Sequence, residues 1–379
     1  MSNEESNEKT VLEQFLRQDR VLIAAELHLA HGSFFQPTGF PDIGACIYTD
    51  GSGQRRCLVE SEQSMANRLE AVCMKAPGVW REPLSGRLPV LRVRDKEGRL
   101  LATNLTEPHR IASSYVVEGF INENGSREAK LEAKISEHVG IKGNVWPLER
   151  RDKLTQIVFA LDPAAILHGF QFMQWAAVGL RAARLLHARL EATLAGEDGE
   201  VHYGLVKVDG IEPDASAKKY SNKGQSIAAK ARYVPRSIEA TFEIDVLALR
   251  EKSLVAACHG EGAADSSANE EAQRFLLALA LWKIHMFLTN APSFDARTGD
   301  TMGALRLRAD CSLAVGKGQV SWCGSKHGAV FGNAMPLELN SLVRSSENGG
   351  LSGLLADPPV FNQLLPFGLG LDTTVVYKK

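Results

Sequence analysis

Three stretches of the chain alternate apolar and polar residues with a period of two, and each predicts a half-buried strand. In residues 21–30, Val21, Ile23, Ala25, Leu27 and Leu29 share one face while Glu26 and His28 take the other. In residues 238–246, Ile238, Ala240, Phe242, Ile244 and Val246 oppose Glu239, Thr241, Glu243 and Asp245. In residues 304–313, Leu305, Leu307, Ala309, Cys311 and Leu313 oppose Arg306, Arg308, Asp310 and Ser312. A fourth strand is expected at 155–161, where Asp162-Pro163 turns the chain, and a hairpin at 45–49 and 56–59 around Asp50-Gly51-Ser52-Gly53. Helices are expected at 11–20, at 61–74 with a core stripe of Met65, Leu69, Val72 and Cys73, and at 175–194 before Gly196. A last one runs over 270–289, opened by the capping box Ser267-x-x-Glu270 and closed by Asn290 and Pro292.

In chain order these elements read strand, helix, strand, strand, helix, strand. That is the βαββαβ order of an α+β, ferredoxin-like or RNA-recognition-type core with large insertions. Such a core leaves one sheet face free of helices, the face RNA-binding versions use. Residues 1–10 are polar and acidic, 76–155 have weak periodicity, and the last sixty residues are Gly-rich.

Composition changes this picture little. The apolar fraction of 44% and charged fraction of 23% are those of a globular protein able to bury its own core. Cysteines 46, 57, 73, 258, 311 and 323 form no C-x-x-C pair, which argues against zinc ribbons and thioredoxin-like redox sites. Free cysteines without a secretory leader fit the cytoplasm, and no apolar run is long enough for a bilayer, so no membrane partner is expected. The net charge of −2 argues against coating nucleic acid by bulk electrostatics and leaves room for a local basic groove.

That groove has one conspicuous source. Residues 216–236 hold Lys218, Lys219, Lys223, Lys230, Arg232 and Arg236 with no Asp or Glu, and Tyr220 and Tyr233 are interleaved. Cations with aromatics suit phosphates plus stacked bases, and the absence of neutralising acids favours nucleic acid over a solvated loop. Arg181 and Arg184, with Arg189, sit on the expected 175–194 helix, where they could grip adjacent phosphates or pair with acids elsewhere. For Arg306 and Arg308, ion pairing with the acidic face of the 238–246 strand is the simpler account. The loop Gln36-Pro37-Thr38-Gly39 and the helix residues Ser61, Gln63, Ser64, Asn67 and Arg68 could hold a phosphodiester backbone, or could cap and pack the helix; Glu60 and Glu62 beside them repel phosphate. His28, His31, His109 and His168 lack ligand-like spacing, so no metal or cofactor is expected, and no nucleophile elbow, P-loop or dinucleotide fingerprint lies in a suitable setting.

Residues 35–44 (Phe-Gln-Pro-Thr-Gly-Phe-Pro-Asp-Ile-Gly) and 58–70 (Leu-Val-Glu-Ser-Glu-Gln-Ser-Met-Ala-Asn-Arg-Leu-Glu) resemble the signature of the backbone subunit of type I-G (formerly I-U) CRISPR effector complexes, in the RAMP superfamily. Glu107-Pro108-His109-Arg110 and Leu167-His168-Gly169-Phe170 resemble two further blocks in the same order. The resemblance implies an RNA-recognition-like palm, with 1–20 as tail and short helix, 21–75 and 237–379 as its halves and 176–199 as a palm helix. It further implies fingers at 76–175 and a hairpin thumb at 200–236. It implies a non-catalytic scaffold that binds guide RNA through Gln36, Thr38, Gly39, Ser61, Gln63, Ser64, Asn67, Arg68, His109, Arg110, His168, Arg181, Arg184 and the lysines of the thumb, with Arg232. Its partners are then the CRISPR guide RNA, other copies of the chain in a helical filament, other effector subunits, and a target DNA strand reached through the guide. The alternative is a target-RNA endonuclease acting through Asp42, since related type III backbone subunits cleave with an Asp in the loop after the first strand.

Overall fold

The strands expected near the start and past the middle of the chain lie side by side. The computed structural model describes residues 12–40, 44–123, 127–141, 151–172, 181–196, 200–202, 231–255, 266–294, 299–308, 311–323, 333–336, 355, 359 and 361–378. The elements used below are, along the chain, β1 (Arg20–Leu29), β2 (Ile47–Thr49), β3 (Arg55–Glu60), α1 (Glu62–Ala71), β4 (Val90–Arg94), β5 (Leu100–Thr103), β6 (Phe120–Glu123), β7 (Arg127–Lys130), α2 (Leu131–Val139), α3 (Arg151–Leu161), α4 (Pro163–His168), β8 (Leu186–Leu194), β9 (Glu200–His202), β10 (Ala231–Tyr233), β11 (Pro235–Asp245), α5 (Ser266–Leu288), β12 (Leu313–Cys323), β13 (Asn333–Pro336) and β14 (Asp372–Val376).

The main sheet has the order β13-β12-β1-β11-β8-β3-β2, and its neighbours pair antiparallel. Its four central strands, with α1 between β1 and β8 and α5 between β11 and β12, realise the βαββαβ order in a mixed α+β chain. The alternation decides which side is core. Val21, Ile23, Ala25 and Leu27 of β1 are buried, as are Ile238, Ala240, Phe242 and Ile244 of β11, while Glu26, His28 and Glu239 are exposed. The Phe242 ring meets Phe287 of α5 at 6.0 Å, which places that helix on the buried face. Met65 and Leu69 of α1, from the expected stripe, are fully buried, each stabilising the fold by about 1.5–3 kcal/mol through burial.

Three expected elements are corrected. Residues 155–161 are not a strand. They are the end of helix α3, whose buried Leu154, Ile157, Val158 and Leu161 follow the i, i+3, i+4, i+7 rule once the helix is extended back to Arg151. The helix expected over 175–194, and with it the palm helix at 176–199, is replaced from Leu186 by strand β8, since Leu186, Ala188, Leu190 and Ala192 are buried while His187, Arg189 and Glu191 are not. Helix-forming Ala, Leu, Arg and Glu yield there to a period of two and to two flanking partner strands. The final central strand is not 304–313 but β12, which begins at Leu313. Gly316 and Gly318 hid it, because they interrupt the apolar pattern. A Cβ at Gly316 would lie 2.6 Å from His28 Nε2 on β1, so a side chain there would push the exposed His28 ring aside. Helix α5 begins at Ser266, so Ser267 lies inside its first turn rather than at the cap.

A second sheet, β7-β6-β14-β4-β5, grows from the segment between α1 and β8. Its middle strand is β14, which comes from the other end of the chain and runs parallel to β4. The inserted segment therefore closes only when the C-terminal strand arrives.

Candidate nucleic-acid interface

Chain segments far apart in sequence converge at the end of β1. Phe35 and Tyr233 exchange backbone hydrogen bonds, N to O, at 3.0 Å in both directions. Their rings lie 6.4 Å apart, and the Arg232 guanidinium stands 5.1 Å from the Phe34 ring centroid. Tyr233 and Arg232 belong to β10, which pairs with β9 at the root of the cationic arm. Three residues on, the Thr38 N–H donates to Val59 O at 2.8 Å, fastening the loop to the end of β3. Gly39 follows, where a Cβ would sit 2.5 Å from Gly44 O, so only glycine fits. The loop Gln36–Gly39, the start of α1 and the root of the arm thus form one neighbourhood. Lys218, Lys219, Lys223 and Lys230 of the arm, and Asp42 in the loop, lie outside the described residues.

Helix α1 begins where Ser61, extended at ψ 165°, accepts from Ser64 N. Its outward side carries an uncharged chain of hydrogen bonds. Gln63 accepts from Arg184 Nη2 at 2.6 Å and donates to Asn67 at 3.3 Å. Arg184 also pairs with Glu62 at 3.1 Å, and His187 of β8 approaches the same carboxylate at 3.6 Å. Arg189 pairs with Glu191 at 3.1 Å. Arg181 is exposed, opposite Gln171 in a short hairpin; it and Arg184 do not share a helix.

The inward side of α1 is charged and closed. Glu60 is fully buried and pairs with both Arg68 and Arg308 at 2.7 Å, and it accepts from the Ser64 hydroxyl. Burial alone pushes Glu60 up, but the two guanidiniums and the hydroxyl overcome it and hold the carboxyl below its ordinary range. Arg68, expected to face phosphate, also donates to the carbonyls of Ala304 (3.3 Å) and Arg306 (2.9 Å). Its guanidinium is committed to holding the 304–308 turn against α1. Ion pairing does account for Arg308, through Glu60 rather than the acidic face of β11.

Two more expected RNA contacts lie in the core. Arg110 is 6% exposed and makes a two-pronged pair with Glu70 of α1, its own backbone at φ 52°. His168 is 3% exposed and its Nε2 lies 2.8 Å from the buried Lys283 Nζ; burial, then the Lys283 charge, hold the imidazole well below its usual pKa. Between these groups sits Asp162, the N-cap of α4, where burial and the Glu70 charge, against the pull of Arg110, push the carboxyl up to about 7. An enclosed void of ≈ 10 Å³, about one water in size, is lined by Glu70, Asn104, Asp162 and Lys283. His109 beside Arg110 is exposed. The buried partners Glu70, Lys283 and Asp162 could not be paired from sequence, because each lies on a different element.

The described residues include no cluster of three or more His, Cys, Asp or Glu placed to hold a metal, and no helix among them is long and apolar enough to cross a membrane. Burial pushes the Cys57 thiol up to about 12 and the Cys73 thiol up to about 11, far from a reactive thiolate.

Residues 21–196, a little under half the chain, match the family described as CRISPR-associated protein GSU0053. The stretch from β1 through β8, with the loop after β1, α1 and Arg184, is thus similar to a CRISPR-associated protein. No curated protein matches the chain. Among solved structures, Csc2 of Thermofilum pendens aligns at 10% identity over 91% of this chain and 87% of its own, with a TM-score of 0.33. A likeness that weak does not fix a fold.

Proposed function

We propose that this chain is a RAMP-superfamily backbone subunit of a type I-G CRISPR effector complex, a non-catalytic scaffold that polymerises along a guide RNA. The main sheet with α1 and α5 is then the palm, the second sheet belongs to the fingers, and β9 and β10 are the root of the thumb. The observation that carries the reading is the suture between Phe35 and Tyr233. It brings the root of the cationic arm, which charge alone points to, beside the loop and helix that lie within the family match.

In this reading Gln36, Thr38, Gly39, Gln63 and Asn67 offer uncharged donors and acceptors to sugars and phosphates without reading sequence. Cationic attraction comes from Arg181 and the arm, Lys218, Lys219, Lys223, Lys230 and Arg232. Arg68, Arg110 and His168 act one layer down, fixing α1 and the neighbouring turns. A near-neutral subunit suffices because many copies share one RNA, and the target DNA is read by base pairing with the guide.

The test is expression of the full chain with and without a CRISPR array. Expected is an RNA-bound, high-mass assembly only with the array; a monomeric, RNA-free protein in its presence defeats the reading. Changing Lys218, Lys219 and Lys223 to Glu should weaken RNA binding at least tenfold near 150 mM salt and flatten its salt dependence. The non-catalytic role is tested with Asp42→Ala: loss of a target-RNA cleavage seen in the parent protein would replace the scaffold with a nuclease.

A further inference from the structure

The two sheets arrange their charges differently across the strands. On the main sheet's face away from the helices, Glu26, Glu239 and Glu191 stand directly across from one another on β1, β11 and β8. A row of carboxylates repels phosphate. The second sheet buries Val93, Val375 and Ile121 on one side. On the other side its register lines up Leu100, Arg94, Val376, Phe120 and Lys130, one from each of the five strands. Four interstrand steps make this row roughly 19 Å long. Lys378 follows β14 and sets its Nζ 4.7 Å from the Phe120 ring centroid. Phe120 therefore lies between two lysines, half-buried at its base.

We propose that this face of the second sheet is a binding surface for single-stranded nucleic acid, separate from the loop, helix and arm described above. Phe120 supplies a stacking surface for a base. Arg94 and Lys130 supply the charge for the flanking phosphates, while Lys378 neutralises Glu128 beside them. The complementarity survives the acids nearby. Asp372 is engaged by Arg92 at 2.8 Å and Glu128 by Lys378, whereas Lys130 is exposed with no partner among the described residues. Arg94 donates to the Gly98 carbonyl at 2.8 Å, which holds it beside the row and leaves its charge unneutralised. Leu100, 43% exposed, extends the apolar strip next to Arg94. Apolar and cationic side chains interspersed at strand spacing fit a strand of stacked bases and regularly spaced phosphates better than they fit a folded protein surface. Sequence readout is not part of the proposal, since nothing in the row offers a bidentate donor–acceptor pair to a base edge.

The surface is tested on the full chain with a fluorescent mixed-sequence single-stranded DNA oligonucleotide, by anisotropy across a salt series. Phe120→Leu should weaken binding roughly tenfold, the loss of one stacked base. Lys130→Gln with Arg94→Gln should make the slope of log affinity against log salt shallower by about 1.4, two phosphate contacts on a single strand. Changing Lys218, Lys219 and Lys223 to Glu provides the control for the arm: its loss of guide-RNA binding is independent of either second-sheet variant, so failure here and failure of the proposed function read out separately. If Phe120→Leu lowers the melting temperature, photo-crosslinking of a 5-iodouracil oligonucleotide to the unaltered protein decides, with adducts expected at Phe120. Unchanged affinity and slope in the Lys130/Arg94 variant overturn the proposal. So do crosslinks confined to other segments, or a loss of polyglutamate binding with DNA binding intact, which would make the face a site for an acidic protein.

Discussion

Glu60 shows how one side chain can organise a region. Its carboxylate is the only acid touching both Arg68 and Arg308 among the described residues, and it is fully buried. Glu60→Gln leaves two guanidiniums without their counter-charge, so it should destabilise the fold by about 3 kcal/mol at pH 7 in a denaturant titration. Because its pKa is lowered in the folded state, that stabilisation is present above the ordinary carboxylate range and is lost as pH falls through the folded value. The gap between the two proteins should therefore narrow below about pH 4. Asp162 runs the other way. Its carboxyl holds a proton up to about 7 when folded, against 3.8 otherwise, so its favourable contribution is full below 3.8 and is lost as pH rises to 7. Asp162→Asn, which keeps the cap to Ala165 N, should flatten the stability–pH curve between 4 and 7, by a difference on the order of a few kcal/mol. A variant curve parallel to the parent's would mean the carboxyl is ionised throughout.

At the scale of elements, period was a better guide than propensity. Residues 186–194 carry strong helix formers yet alternate strictly, and they form a central strand of the main sheet. Residues 155–161 carry β-branched and aromatic side chains yet complete a helical stripe that starts at Leu154. In both places the window was set by composition, and the burial followed the spacing. The row of Glu26, Glu239 and Glu191 is a local cost that the sheet tolerates. Glu191 is relieved by Arg56 at 3.9 Å and Arg189 at 3.1 Å, while Glu239 accepts only from Thr241 among the described residues. Glu239→Gln should then stabilise the protein by roughly 0.5 kcal/mol, less at 1 M salt. A loss of stability would show that Glu239 has an attractive partner.

Across the whole molecule, the two ends of the chain and its inserted segment are interlocked. Strand β14 fills the middle of the second sheet, and Arg308 reaches back to Glu60. Truncation before residue 372 should therefore not leave a folded second sheet: the truncated protein should lose protection of amide protons in Val90–Arg94 and Phe120–Glu123 in hydrogen exchange, whereas an autonomous insertion would keep it. Tyr233, which follows the cationic run, is tied to Phe35 in the loop after β1 by two backbone hydrogen bonds.

The sequence by itself determined β1, β11, the α1 stripe and α5, because period-two and period-3.6 burial are properties of local spacing; the other two central strands, β8 and β12, were fixed only by their partners in the sheet. It also located the cationic arm, since a run of charge needs no fold to be counted. Only the tertiary structure decided which polar side chains face outward. Gln63 and Asn67 lie on the surface, whereas Arg68 and Arg110 point into ion pairs with Glu60 and Glu70, and His168 meets Lys283 in a buried hydrogen bond. The reason is physical. A buried polar or charged group must find a hydrogen-bonding or opposite-charge partner, and those partners lie 8, 40 and 115 residues away, at distances no local pattern encodes.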